Sequence, residues 1–160
     1  MAPAPDAGAE AGAESTARSE DGLVKWLLDT NTLSELTKSP PHPGLLEWLE
    51  ANEAESALSA ISIGEIVLGI QRLPEGKKRR RLERALKFLR EDYAGKLLDF
   101  TEGAAVEWGR LVAQAQRQGR NLSVLDSQIE AVALHFGLTV VTRNRADFFH
   151  PVVNPWEPDA

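Results

Sequence analysis

Cysteine is absent from this 160-residue chain, which excludes disulfides, thiolate metal sites and a cysteine nucleophile, and suits a reducing cytoplasm. Histidine is scarce. His42, His135 and His150 are scattered, with no i, i+4 pair to hold zinc on a helix, so a metal site would have to use oxygen ligands and a hard cation. No apolar run is long enough to span a bilayer, and the first 22 residues lack the basic start and apolar centre of a secretory signal. A cytoplasmic protein is therefore expected. Gly-rich phosphate loops, a GxSxG elbow and a dinucleotide fingerprint are all missing. Positive charge is in deficit too, and the net charge of −6 argues against a surface that binds nucleic acid indiscriminately.

What is present is enough apolar material, 42% of 160 residues, for one core and hardly for two. Residues 1–22 are rich in Ala, Gly, Glu, Ser and Pro and read as a disordered tail; residues 23–157 read as one domain. Leu23 to Leu28 is a nearly continuous apolar run ending at Asp29, the pattern of a buried parallel strand whose tip carries chemistry. A helix through LSEL, with Ser and Thr as available caps, is stopped by the prolines at 40, 41 and 43, and Leu45, Leu46, Trp48 and Leu49 form a second apolar helical face. Ser56 to Ile61 reads as the next strand, and Ser62 and Glu65 have capping-box spacing, which predicts Glu65 in a first helical turn. After Pro74-Glu75-Gly76, a basic amphipathic helix turns Leu82, Ala85, Leu86 and Leu89 inward and leaves Lys77, Arg79 and Arg80 outside.

Leu97, Leu98 and Phe100 suggest a third strand, followed by a structural helix up to Gly119. Ser123-Val124-Leu125-Asp126 opens another helix, Gly137 stops it, and Leu138 to Val141 is the last strand, leading into Thr142 to Phe148. Alternating strands and helices predict an α/β fold, a mostly parallel central sheet with helices on both faces. Ligands in such sheets collect beyond the carboxyl ends of the strands.

Asp29, Glu65, Asp126 and Asp147 all fall near that edge. Taken singly, Glu65, Asp126 and Asp147 have an ordinary use as helix caps or solvated loop acids, whereas Asp29 would be costly to bury without a partner. Taken together they suggest a metal pocket, because carboxylates within about 4 Å repel by roughly 4 kcal/mol per pair at an effective dielectric near 20 and call for a cation between them. The expected ion is Mg²⁺ or Mn²⁺. Asn31, Thr142 and Asn144 are either turn and strand-end residues or supports that orient a ligand or a water. Arg143 and Arg145, beside the last acid, are better placed to hold a nucleic-acid backbone than the block Lys77 to Arg81, which in most sequences is a solvated helix face. Trp26, Trp48 and Trp108 are expected in the core, and Trp156 at an edge of the domain.

The stretches LLDTNTLSEL, SAISIGEIVLGI, WGRLVAQAQRQGRNLSVLDSQIEAVALHFGLTVVTRNRADF and NPWEP, in this order and spacing, resemble the PIN domain of VapC and FitB-type toxins over roughly residues 24 to 157. The resemblance implies a metal-dependent ribonuclease that cleaves RNA phosphodiesters through a metal-activated water, a cognate antitoxin encoded beside it, and a homodimer. It implies that Asp29, Glu65, Asp126 and Asp147 are the site acids, with Asn144 standing where many relatives carry an acid. An antitoxin segment would cross the pocket, an Arg of that segment pairing with the carboxylates, in a groove formed near Leu33, Leu36, Leu45 and Leu49. Two other classes stay open: a PIN-fold RNA- or protein-binding module without turnover, which Asn144 permits, and a phosphatase using Asp29, disfavoured because Asn31 replaces the second Asp of a DxDxT-like motif.

Overall fold

The computed structural model of the chain describes residues 18–19 and 22–157. Most of the expected disordered tail lies outside the described residues. Within them, Arg18–Ser19 (β1) pairs antiparallel with Gly22–Leu23 (β2). The first strand of the main sheet is consequently Trp26–Leu28 (β3), shorter than the apolar run that announced it, and Leu23 is 48% exposed. Helices Thr30–Leu36 (α1) and Pro43–Asn52 (α2) lead to strand Ser56–Ser59 (β4); helices Ala60–Gln71 (α3) and Lys77–Asp92 (α4) lead to strand Leu97–Leu98 (β5). Helices Glu102–Arg117 (α5) and Val124–Phe136 (α6) precede strand Thr139–Val141 (β6).

The main sheet has the order β5-β4-β3-β6, and all its pairings are parallel. Alternation along the strands divides the core in two. Leu27, Ala57, Leu98 and Val140 meet Ala104 of α5 and Ile129, Val132 and Ala133 of α6 on one face. Leu28, Leu58 and Val141 meet Leu33, Leu45, Leu49 and Tyr93 on the other. A strand buried on both faces has no solvent side to show, and the polar residues of β4 and β6, Ser56, Ser59 and Thr139, stand at strand ends. The extended segment at Val153 lies parallel to Val141 and covers the outer edge of β6, with Val153 N–H donating to Val140 O at 3.0 Å and Thr142 N–H to Val153 O at 2.9 Å. No helix among the described residues is long and apolar enough to cross a membrane.

Several local expectations are corrected. The strand expected to reach Ile61 ends at Ser59, and Ser59, not Ser62, caps α3, its hydroxyl accepting from the Ile61 and Ser62 amides. Glu65 therefore stands in the second turn. The cap of α1 is Asp29 itself. Arg79 is not a free outer cation: its guanidinium holds Glu83, Gln71 and the Leu73 carbonyl, while Arg81 donates to Thr37 O at 3.1 Å. Cations at a helix start oppose the macrodipole, and these bonds anchor α4 in spite of that. Trp26 and Trp48 meet edge to face at 5.5 Å, and Trp156 packs partly buried against the second core and lies 6.1 Å from the His42 ring.

The start of α2 shows how closely the last segment is pressed on. His42 caps it, Nδ1 accepting from Gly44 N–H at 3.1 Å ahead of Pro43 in the first turn. A Cβ on Gly44 would come within 2.7 Å of the Pro155 carbonyl oxygen, a backbone atom with little room to give. Gly44→Ala should thus destabilise the domain by about 1–3 kcal/mol in urea unfolding, in the manner of overpacking, although Ala is the better helix former. An unchanged midpoint would show that the closing segment yields.

Candidate active site

The strand order positions the site. The chain builds outward from β3 through β4 to β5, then returns to place β6 on the other side of β3, so the two strands leave their carboxyl ends where the winding reverses. Leu28 pairs with Val141 and with Leu58, which sets Asp29, Thr142 and Ser59 side by side just past the strand tips.

Asp29 is 2% exposed. Its Oδ1 accepts from Thr32 N–H at 2.8 Å, its own N–H donates to Val141 O at 3.1 Å, and the Thr142 hydroxyl hydrogen-bonds its carboxylate. Burial raises its pKa above the ordinary Asp value; the hydrogen bonds from Thr142 and Thr32 oppose that shift, and the charge of Asp126 adds to it. Thr32, fully buried, fastens α1 to β6 through Val141 O at 3.0 Å. Thr142, also fully buried, accepts from Asn144 N–H at 3.0 Å and so shapes the turn that follows.

Glu65 reaches the same edge from α3. The Thr30 hydroxyl, next to Asp29 in sequence, donates to Glu65 Oε1 at 2.7 Å and lies 3.2 Å from the buried Ser62 hydroxyl. Asp126 stands in the first turn of α6 in a reciprocal cap: Ser123 Oγ accepts from Asp126 N–H at 3.2 Å and donates to its Oδ2 at 2.8 Å. Its pKa is raised by burial, against the pull of Ser123, and further by the charges of Asp147 and Glu130. Asp147 closes a short 3₁₀ turn, Arg145–Asp147, and is exposed, as are Asn144, Arg143 and Arg145 around it. Asn31 is exposed on the first turn of α1.

Asp126 thus interacts electrostatically with both Asp29 and Asp147, and Glu65 joins through Thr30. As the side chains stand, no three acids or histidines among the described residues close around a point that could hold an ion. Each of Asp29, Glu65 and Asp126 is held by a hydroxyl or amide donor: Asp29 by Thr32 N–H, Glu65 by the Thr30 hydroxyl and Asp126 by the Ser123 hydroxyl. The donor set, carboxylate and hydroxyl oxygen without nitrogen or sulfur, together with the raised pKa values of Asp29 and Asp126, fits a hard divalent cation.

Two charged residues were missed in the sequence. Glu130 is 2% exposed and accepts from the Phe149 and His150 amides and from His150 Nδ1 at 2.8 Å. An acid in the apolar stretch Ile129 to Ala133, four residues after Asp126, is the signal that could have revealed it. Arg120, just past α5, donates to Ala146 O and Phe148 O, and nothing in its sequence neighbourhood announces that.

A family model for the PIN domain matches residues 26–151. The chain is 35% identical over 137 residues to a protein of Sinorhizobium fredii named VapC ribonuclease Y4jK, covering 82% of this chain and 98% of that one. It is 36% identical over 135 residues to a protein of Neisseria gonorrhoeae named toxin FitB, covering 81% and 97%. The crystal structure of FitAcB from Neisseria gonorrhoeae superposes with a TM-score of 0.76 at 34% identity, over 82% of this chain and 98% of that one.

Proposed function

The chain belongs to the PIN domain family, and from that premise we propose that it is the ribonuclease toxin of a toxin–antitoxin pair, cutting RNA phosphodiesters with the help of Mg²⁺ or Mn²⁺. The observation that carries this reading is Asp29: a carboxylate buried where the sheet reverses its winding, with Asp126 near enough to raise its pKa. Asp29 and Asp126 would hold the ion, with Glu65 and Asp147 completing the pocket. The cation supplies an activated water and offsets negative charge at the phosphorus.

The protein's own residues do the rest. Thr32 and Thr142 fix Asp29, Thr30 aims Glu65, and Ser123 aims Asp126, so the acids are oriented before substrate arrives. The exposed Arg143 and Arg145 shortly precede Asp147 and are suited to phosphates neighbouring the scissile one, and Asn144 can hydrogen-bond the same backbone. The test is cleavage mapping of total RNA by purified protein with Mg²⁺, with Mn²⁺ and with a chelator. Cuts that vanish with the chelator support the reading; divalent-ion binding without cuts would assign a binding module instead.

The partner reading rests on a groove of about 730 Å³ between α1, α2, α3 and α4, lined by Leu33, Leu46, Ile66, Leu86 and Phe88 and ending at Thr30 and Glu65. Leu36 and Leu49 line it as expected, but Leu45 is fully buried in the core and its place is taken by Leu46. No residue of α4 is fully buried and Phe88 is 61% exposed, so that helix presents an apolar face with room for a further segment. An antitoxin lying there would end against the acids. Phe88→Asp should weaken capture of the product of the neighbouring gene by about 30-fold or more, as for loss of an aromatic anchor, and leave cleavage uninhibited at ratios that silence the wild type. Undiminished inhibition would move the antitoxin elsewhere. A homodimer belongs to the same proposal and is supported by Val67, Leu68, Val106, Val124 and Leu125, which lie 38–60% exposed.

A further inference from the structure

We infer that Arg120 and Glu130 are positioning residues that grip the Asp147 turn from both sides and so set the place of the fourth acid relative to Asp126; the inference rests on the metal-dependent nuclease reading. Residues 143–147 are all exposed, so apolar packing does not fix them. Polar contacts do. Arg120 Nη2 donates to Ala146 O at 3.1 Å and to Phe148 O at 2.9 Å, the two carbonyls on either side of Asp147. Its guanidinium carbon lies 5.4 Å from the centre of the Phe149 ring. Glu130 takes hold immediately afterwards, accepting from Phe149 N–H at 3.0 Å, from His150 N–H at 2.7 Å and from the His150 ring.

The two grips come from different elements, Glu130 from the helix that carries Asp126 and Arg120 from the turn after α5. Glu130 follows Asp126 by one turn on the same face of α6, so the helix that presents one acid also anchors the segment that presents another. Arg120 comes from the other direction: Gly119, left-handed with φ 73°, turns the chain at the end of α5, and Arg120 N–H closes that turn on Ala115 O at 2.9 Å. A guanidinium bridging two carbonyls holds a short turn in orientation as well as in place, which an ammonium group does less well.

The test is Mn²⁺ binding by calorimetry to the full chain, in the wild type, Asp147→Asn, Arg120→Gln and the double variant. Each single change should weaken Mn²⁺ by about 10–100-fold, the usual cost of losing a supporting partner, and the double variant should bind no more weakly than Asp147→Asn alone. Arg120→Lys should recover part of the loss. Hydrogen exchange should quicken at Asp147 to His150 in Arg120→Gln and stay unchanged in β3 and β6. Wild-type affinity in Arg120→Gln, losses that multiply in the double variant, or no Mn²⁺ binding by the wild type would overturn the inference. Should Arg120→Gln not fold, Glu130→Gln replaces it in the same cycle. Binding as expected without any RNA cleavage would overturn the nuclease reading and leave the grip standing.

Discussion

Asp29→Asn is expected to cut metal-dependent RNA cleavage by at least about 100-fold, the upper end of what losing one supporting group around a metal costs, while the metal-free protein melts no lower than the wild type. The two halves have one cause. Asp29 is 2% exposed, and its pKa is raised above the ordinary value by burial and by Asp126. Below the unfolded-state pKa both states are protonated and nothing is lost. As pH rises through that value and then through the higher folded value, the folded state loses stability relative to the unfolded one. Asn keeps an oxygen to accept from Thr32 N–H and carries no charge, so it removes the cost along with the ligand. The wild type should therefore melt higher at mildly acidic than at neutral pH, more steeply than the Asn variant, with Asp126, raised in the same direction, leaving a residual slope in both. Added Mg²⁺ should raise the melting temperature of the wild type and hardly that of the variant, since a ligand stabilises only the state that binds it. An Asn variant that cuts RNA at the wild-type rate would remove Asp29 from the site.

The sheet was legible because its strands are buried on both faces: WLL, SALS and TVV could hardly lie anywhere else, and acids or helix starts at their ends marked the carboxyl edge of the sheet. The places of Asp29, at the end of β3, and of Asp126, in the first turn of α6, could be read from the sequence alone. Glu65 reaches that edge although the local reason offered for it, a capping box with Ser62, is wrong: the true cap, Ser59, is the last strand residue, and strand and helix abut without a loop. What stayed hidden depends on contacts between distant segments. A glutamate within a helix usually marks a solvated face, and only the return of residues 148–150 over α6 makes Glu130 an acceptor for amides 19 and 20 residues away. Arg120 is likewise defined by carbonyls 26 and 28 residues further on. Backbone acceptors leave no trace in the sequence. The groove was half legible for a related reason: helical periodicity separates apolar from polar faces, and it does not tell Leu45, fully buried, from its neighbour Leu46, 44% exposed.

Glu130→Leu should be the most destabilising single change outside the apolar core. The carboxylate has four contacts of 2.7–3.2 Å, two with the Phe149 amide and one each with the His150 amide and His150 Nδ1. A hydrogen bond to a charged group contributes roughly 1.5–3 kcal/mol, and leaving two partly buried amides unpaired adds their desolvation, so a loss of about 3 kcal/mol or more is expected. For a domain of this size that is on the order of 10 °C in melting temperature. Leu matches the apolar neighbours Ile129, Ala131 and Val132 and roughly the volume of Glu, so the loss cannot be assigned to poor packing. Glu130→Gln, which keeps one oxygen for the amides, should lose about half as much. Thermal and urea unfolding of the three proteins check the order wild type, Gln, Leu. If the Leu variant were as stable as the wild type, water would be satisfying the Phe149 and His150 amides, and the segment carrying Asp147 would owe its place to Phe148, only 3% exposed, and to Arg120.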